Sequence, residues 1–200
     1  MNTEPNMHKS IDIIILAAGN SRRFDGDKRL LMLQTILHTI TQTFSNNNIR
    51  IICVLKSSDK NQLPNLLGEY QHHQALNVVW NDKPEQGMGH SLALAAKQLT
   101  ADACMVFLAD MPLIKAHTLQ QLLPLLTAHN IVTPSYQQQR GHPVCFGRDF
   151  YEELQQLQGD KGAKHLFDKY PEACITIETD DKGVLIDIDT PNDWQQYQDL

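Results

Sequence analysis

Short apolar, β-branched runs recur along the chain, each closed by a polar turn: Ile11 to Leu16, Arg50 to Leu55, Asn77 to Trp80, Cys104 to Ala109, Ile131 to Thr133, Val144 to Phe146, Cys174 to Ile177 and Val184 to Ile188. Runs of this kind predict strands. Between several of them the apolar positions fall into a helical period, at Leu30 to Phe44, Ser91 to Leu99, His117 to His129, Asp149 to Leu157 and Ala163 to Tyr170. Alternation of strand and helix predicts an α/β fold, a Rossmann-like, doubly wound, mostly parallel sheet with helices on both faces. Pro124 is expected to kink or split the third helix. Residues 131 to 146 break the rhythm, because two strand-like pieces flank SYQQQRGHP; they predict a small hairpin excursion over the sheet, suited to covering a ligand. Residues 1–10 read as a tail, residues 11–200 as a single domain, and Ser45, Asn46, Asn47 and Asn48 as a loop.

Composition narrows the function. Two hundred residues with 42% hydrophobic content are enough for one proper core. The net charge of -6 argues against nucleic-acid and anionic-membrane partners, which need an extended basic face. No apolar run approaches the roughly 20 residues that span a bilayer. The opening MNTEPNMHKS lacks the cationic and apolar regions of a signal peptide, so a cytoplasmic location is expected. Cys53, Cys104, Cys145 and Cys174 are widely separated and mostly sit in apolar runs, as buried reduced thiols do.

Against that acidic background, IIILAAGNSRRFDGDKRLL (residues 13–31) stands out. Arg22, Arg23, Lys28 and Arg29 are four of the chain's 17 basic residues, and Asp25 and Asp27 offset only two of them. A glycine turn permits close backbone approach and fixed cations neutralise phosphates, so a loop directly after an apolar strand reads as a triphosphate cradle. The alternative is a solvated basic turn. The loop has neither the GKS/GKT ending of the Walker loop nor the GxGxxG spacing.

Three further pieces carry chemistry. In FLADMPLI (107–114) an apolar strand ends at Asp110, placed either to hold Mg²⁺ through oxygen or to cap the following helix. In PEQGMGHSLALAAKQL (84–99), Gly87, Met88 and Gly89 precede a helix beginning near Ser91, a setting for reading a base or ribose with backbone groups, or a plain loop with a Ser cap. In DIDTPNDW (187–194), Thr190 and Pro191 satisfy a structural capping rule, while Asp187 and Asp189 are candidate second carboxylates.

These pieces resemble a known family. LAAGxSxRF followed by a Lys and a Leu pair is similar to the opening signature of the MobA-like nucleotidyltransferases, ADMP to their metal-binding motif, and DIDTP to their DxDTPEDL element. RGHPVCFGRDFYEELQQLQGDKGAKHLF (140–167) resembles the RGHPV and GDxGA elements of the molybdenum cofactor cytidylyltransferase branch. The resemblance spans nearly the whole chain in four ordered blocks. It implies a Mg²⁺-dependent transfer of CMP from CTP to the terminal phosphate of molybdopterin or molybdenum cofactor, with release of pyrophosphate.

By that resemblance Leu16, Ala17, Ala18 and Gly19 approach the nucleotide, Arg23 binds the β- and γ-phosphates, and Lys28 neutralises the α-phosphate. Gly87, Met88 and Gly89 read the base. Asp110, with Asp189 or alternatively Asp187, holds the metal, which makes Arg23, Lys28 and Asp110 the catalytic set. Arg140, Gly141, His142, Pro143 and Asp160 line the acceptor side, although His142 also suits an ordinary turn. The implied partners are the nucleotide, the pterin, and a molybdoenzyme or its maturation chaperone as recipient.

Two departures stand out: FDGDK displaces Gly26 by one position, and LLMLQTILHTI lacks the glycine turn relatives often carry there. Guanylyl transfer to the same pterin, nucleotidyl transfer to another phosphorylated small molecule, and a non-catalytic cofactor carrier are the competing readings.

Overall fold

A strand buried on both faces needs apolar residues at successive positions, and β1 (Ile11–Leu16) is buried at every one of its residues. In the computed structural model it is the centre of a parallel block, with β2 (Ile49–Lys56) on one side, β3 (Leu76–Asn81) beyond it, and β4 (Ala103–Leu108) on the other side. The structure describes residues 10–19, 26–45, 48–160 and 162–197, with backbone alone for 26–30, 191 and 197.

Beyond β4 the sheet changes direction. β5 (Ile131–Tyr136) turns tightly into β6 (Gln139–Arg140), and the chain returns as β7 (Val144–Gly147), which inserts antiparallel between β4 and β5. The final strand β8 (Cys174–Glu178) runs parallel to β5. The expected hairpin is therefore present, but its arms are stitched into the sheet instead of lying over it. Backbone donors and acceptors of an apolar segment such as Val144–Gly147 are best satisfied inside a ladder.

Helices cover both faces, as the alternation predicts. Leu33, Ile36, Leu37 and Ile40 of α1 (Gly26–Thr43), Leu66 and Leu67 of α2 (Leu63–Leu67) and Leu119 and Leu122 of α4 (Ala116–Leu122) pack on one face, against Ile13, Ile15, Cys53 and Phe107. Leu92, Ala95 and Ala96 of α3 (Met88–Ala96), Leu154 of α5 (Tyr151–Gln155) and Leu166 of α6 (His165–Lys169) pack on the other, against Ile14, Leu16, Val54 and Val106. The last helix, α7 (Pro191–Tyr197), follows Thr190. Among the described residues no helix is long and apolar enough to cross a membrane. Among the described residues no cysteine forms a disulfide; three are buried and Cys174 is half-buried.

Three elements differ from the sequence pattern. Val184 to Ile188 is no strand: a 3₁₀ turn covers Lys182–Leu185, and the extended residues after it alternate buried and exposed with no partner strand among the described residues. Pro124 neither kinks nor splits a helix but ends it, since α4 stops at Leu122 and only a 3₁₀ turn, Leu123–Leu125, follows. α3 starts at Met88, so Met88 and Gly89 form its first turn instead of preceding it.

Candidate active site

The parallel registers decide where the sequence pieces meet. Leu16 is level with Val54 on one side and Leu108 on the other, so the Ala17–Gly19 turn and Asp110 emerge at the same carboxyl edge of adjacent strands. The ladder continues one step past β1: Ala17 N–H donates to Val54 O (2.9 Å), and Ala109 N–H to Leu16 O (3.1 Å). Ala17 and Ala18 are buried, whereas Gly19 is exposed, and a Cβ there would meet nothing within 4 Å among the described residues. A turn residue without a side chain is what close approach of a ligand to the backbone needs. Arg22 and Arg23 lie outside the described residues, and Lys28 is described only as backbone in the first turn of α1.

Asp110 is half-buried, and its Oδ1 is fully buried with no hydrogen-bond partner among the described residues. It does not cap α4, which begins only at Ala116. Burial raises its carboxyl above the usual range, and the charges of Asp187 and Asp189 push in the same direction. The three acids gather because Ile188 N–H donates to the Asp110 carbonyl (2.7 Å), which brings both flanking aspartates to the edge. A buried, unpaired carboxylate oxygen among like charges is costly unless a cation compensates it. This environment fits a divalent cation, although no three His, Cys, Asp or Glu among the described residues form a ready-made cage. Magnesium-type sites often use one or two carboxylates and leave the remaining positions to water and phosphate oxygens.

Thr190 and Asp193 are occupied structurally. Asp193 Oδ2 accepts from Thr190 N–H (2.7 Å) and Asp189 N–H (3.1 Å), while Asp193 N–H donates to Thr190 Oγ1 (3.2 Å). This reciprocal cap starts α7. Thr190 also holds the Asp193 carboxyl below its ordinary range.

On the α3 side of the sheet a cavity of about 280 Å³ opens beside Leu16. Arg140, Gly141 and His142 form one wall, and Met88, Gly162 and Phe167 lie on others. The Arg140 guanidinium carbon stands 4.9 Å from the centre of the Phe167 ring, a cation–π contact. Burial lowers the His142 imidazole below its ordinary value of 6.5, and its buried Nδ1 has no partner among the described residues. Its own backbone is fixed: His142 N–H donates to Val184 O (2.9 Å), and the bond to Pro143 is cis. Thr133 Oγ1 donates to Gly141 O (2.8 Å), and a Cβ on Gly141 would fall 2.4 Å from Val184 O.

Pro143 and Asp160 do not share that wall. Pro143 is buried, and Asp160 sits against Gly87, where an added Cβ would meet its Oδ1 at 2.3 Å. Gly87 has φ +90°, and Gly89 N–H donates to Gly159 O at 2.8 Å. The two glycines thus lack side chains because the loop before α3 is pressed onto residues 158–160. Ser91 is no cap either: its buried Oγ accepts from Asn81 Nδ2 (2.9 Å) and ties α3 to the end of β3.

Sequence reasoning missed Thr133, Phe167 and the 181–184 turn. Phe167 was legible only as a core position of a helical run, and no local signal marks the other two as neighbours of residues 140–142.

An open sheet with a glycine turn and a carboxylate at the carboxyl ends of adjacent parallel strands is the arrangement of α/β nucleotide-binding proteins. Residues 13–174 match the MobA-like NTP transferase domain, and the chain belongs to that family of nucleotidyltransferases. It is 27% identical over 195 residues to the purine catabolism protein PucB of Bacillus subtilis, covering 92% of this chain and 94% of PucB. It is 34% identical over 124 residues to the bifunctional protein GlmU of Pseudomonas putida, covering 57% of this chain but only 25% of GlmU. The fold is shared with Rv0371c of Mycobacterium tuberculosis (TM-score 0.75, 24% identity, 94% and 97% of the two chains). Rv0371c has also been solved in complex with manganese. A similar fold occurs in the 4-diphosphocytidyl-2C-methyl-D-erythritol synthase of Anaerococcus prevotii (TM-score 0.73, 17% identity, 93% and 95% of the two chains).

Proposed function

We propose that the protein transfers CMP from CTP to the terminal phosphate of molybdopterin, or of its molybdenum-bearing form, and releases pyrophosphate. One observation carries the reading. The cavity beside Leu16 is walled by Arg140, Gly141 and His142 from the RGHP element and by Gly162 and Ala163 from the GDxGA element. Two pieces that resemble the molybdenum cofactor cytidylyltransferase branch, separated in sequence, therefore converge next to the strand that delivers the glycine turn.

The acceptor phosphate is already ionised, so no strong general base is required. Its terminal oxygen attacks the α-phosphorus of CTP as the bond to the pyrophosphate oxygen breaks, and alignment with charge neutralisation does the catalytic work. In this reading Arg23 restrains the departing pyrophosphate and Lys28 neutralises charge around the α-phosphorus. Asp110, with Asp189 or Asp187, would hold Mg²⁺, which when bound neutralises charge on the triphosphate oxygens. Gly19 gives the backbone approach, and the Met88 turn faces the base. His142, whose burial favours the neutral imidazole, orients the acceptor and takes no proton from it.

The test is pyrophosphate release from purified molybdopterin with CTP, GTP and ATP in parallel, each with Mg²⁺. Faster turnover with CTP is expected; a preference for GTP would make the protein a guanylyltransferase. Release with a sugar phosphate but not with the pterin would move the acceptor. Tight pterin binding without pyrophosphate would make the protein a carrier. Lys28→Ala and Arg23→Ala should each lower turnover by about 10² to 10³ without unfolding the protein. The name of the PucB relative makes a purine-processing enzyme the first recipient to try.

A further inference from the structure

Asp181 is fully buried, six residues before Asp187, and its carboxylate accepts three hydrogen bonds. Its Oδ2 accepts from Lys115 N–H (2.8 Å) and Thr118 Oγ1 (2.7 Å), at the start of α4, and its Oδ1 accepts from Gly183 N–H (2.9 Å). A carboxylate buried with three donors is fixed in place, because losing any one of them leaves an unsatisfied polar atom. The residues that follow have little freedom. A Cβ on Gly183 would lie 2.2 Å from Leu113 O, so the turn is pressed against the loop between β4 and α4.

From this anchor the chain runs as a strap past both halves of the site. Val184 O accepts from His142 N–H at 2.9 Å, and Gly141 fits against the same carbonyl. Four residues later Ile188 N–H donates to Asp110 O at 2.7 Å, while Ile186 and Ile188 bury against Met32. Asp187 and Asp189 stand on either side of that last bond. The wall carrying His142 and the acidic group around Asp110 are thus held by one segment, and that segment is anchored at Asp181.

We propose that Asp181 is a positioning residue that sets the acceptor wall and the acidic cation site together, through the 181–189 strap. The inference rests on the assignment of those two places under Proposed function. It predicts coupled damage, in which one lesion remote from both loosens both.

Hydrogen exchange in the folded, full-length protein tests the coupling without reference to turnover. In Asp181→Asn the amides of His142 and Ile188 should exchange at least about tenfold faster than in wild type, with Ile13 and Met105 in β1 and β4 unchanged. Mn²⁺ binding measured in the presence of CTP, and the KM for the pterin, should weaken together by about tenfold, with kcat falling less. If Asp181→Asn does not fold, Thr118→Val removes one donor of the same anchor and should show the same pattern more weakly. Wild-type exchange at His142 and Ile188 would overturn the proposal, as would faster exchange at one of them alone or uniformly throughout the protein. Accelerated paired exchange in a protein whose wild type does not use molybdopterin would overturn only the acceptor assignment.

Discussion

A buried imidazole whose Nδ1 has no partner among the described residues is most stable while it stays neutral. Below the ordinary histidine value the unfolded chain takes up a proton that folded His142 resists, because burial lowers its folded value. The stability associated with neutral His142 is therefore present above 6.5 and lost as pH falls through the lower folded value. His142→Gln should consequently lose less melting temperature than wild type between about pH 7.5 and about pH 5, and scanning calorimetry at the two values checks it. Equal losses would show that other groups dominate acid sensitivity. Asp110 gives the opposite trade. Its buried Oδ1 lacks a partner among the described residues, and two other acids stand near it. Asp110→Asn removes the repulsion, so without divalent cations it should be more stable than wild type by about 1 kcal/mol. The same change should lower turnover about 10²-fold or more. A variant destabilised in metal-free buffer would show that the carboxylate is needed for folding. Asp110 and the glycine turn were legible from sequence because a polar residue that ends an apolar strand is a local signal. The neutral state of His142 was not, since its burial depends on β4 and on the turn after β8.

Among the elements, the β5–β6 hairpin carries the clearest local strain. Its two-residue turn places Gln137 at φ 49° and Gln138 at φ 65°, a conformation suited to Asn and Gly. Ser135 Oγ donates to Glu178 Oε2 at 2.6 Å, which braces the hairpin from β8. Replacing the pair with Asn-Gly should raise stability by about 1 kcal/mol, read as a higher urea midpoint with an unchanged slope. A lower midpoint would mean that the glutamine side chains contribute more than their backbones cost. The same scale shows why element reading succeeds and fails. β1 was legible residue for residue because β-branched apolar residues bounded by turns leave few alternatives. Ile186 and Ile188 alternate with Asp187 and Asp189 as a strand would, yet the alternation reports one buried face and not a ladder partner. At α3 the error came from Gly89, a poor helix former in isolation that is placed in the first turn because only a glycine fits against Gly159.

Across the whole molecule, a buried ion pair and the candidate site sit at opposite ends of the sheet. At the amino end, buried Asp12 accepts from Arg50 Nε (2.9 Å) and Nη2 (2.8 Å), and from the N–H groups of Thr100 (2.6 Å) and Ala101 (3.0 Å). Arg50 also reaches the Gln98 carbonyl. Arg50→Ala should cost roughly 2 kcal/mol, less than a fully buried pair because the Arg50 side chain is partly exposed and two N–H donors remain. KM values should not change, since the site lies at the other edge; a raised KM would reveal coupling along the strands. The order of layers was legible from the alternation of strand and helix. The Thr118–Asp181 bond and the Arg140–Phe167 contact were not, because each joins residues far apart in sequence and neither has a local pattern.

The antiparallel insertion of β7 beside β4 also marks a place where the molecule can be recombined. The contact between the parallel block and the later half combines a backbone ladder from Ala103–Val106 to Val144–Gly147 with the packing of α3 against α5 and α6 and the hydrogen bonds of Asp181 to Lys115 and Thr118. Ladders of that kind accept another strand of matching length and face pattern. A chimera that keeps residues through 130 and takes the rest from a family member with a different acceptor should zip along this seam only where the new half also matches the packing face of α3 and the anchor on Lys115 and Thr118. On the assignments proposed above, such a chimera should then carry the donor's choice of acceptor, which acceptor screening would read.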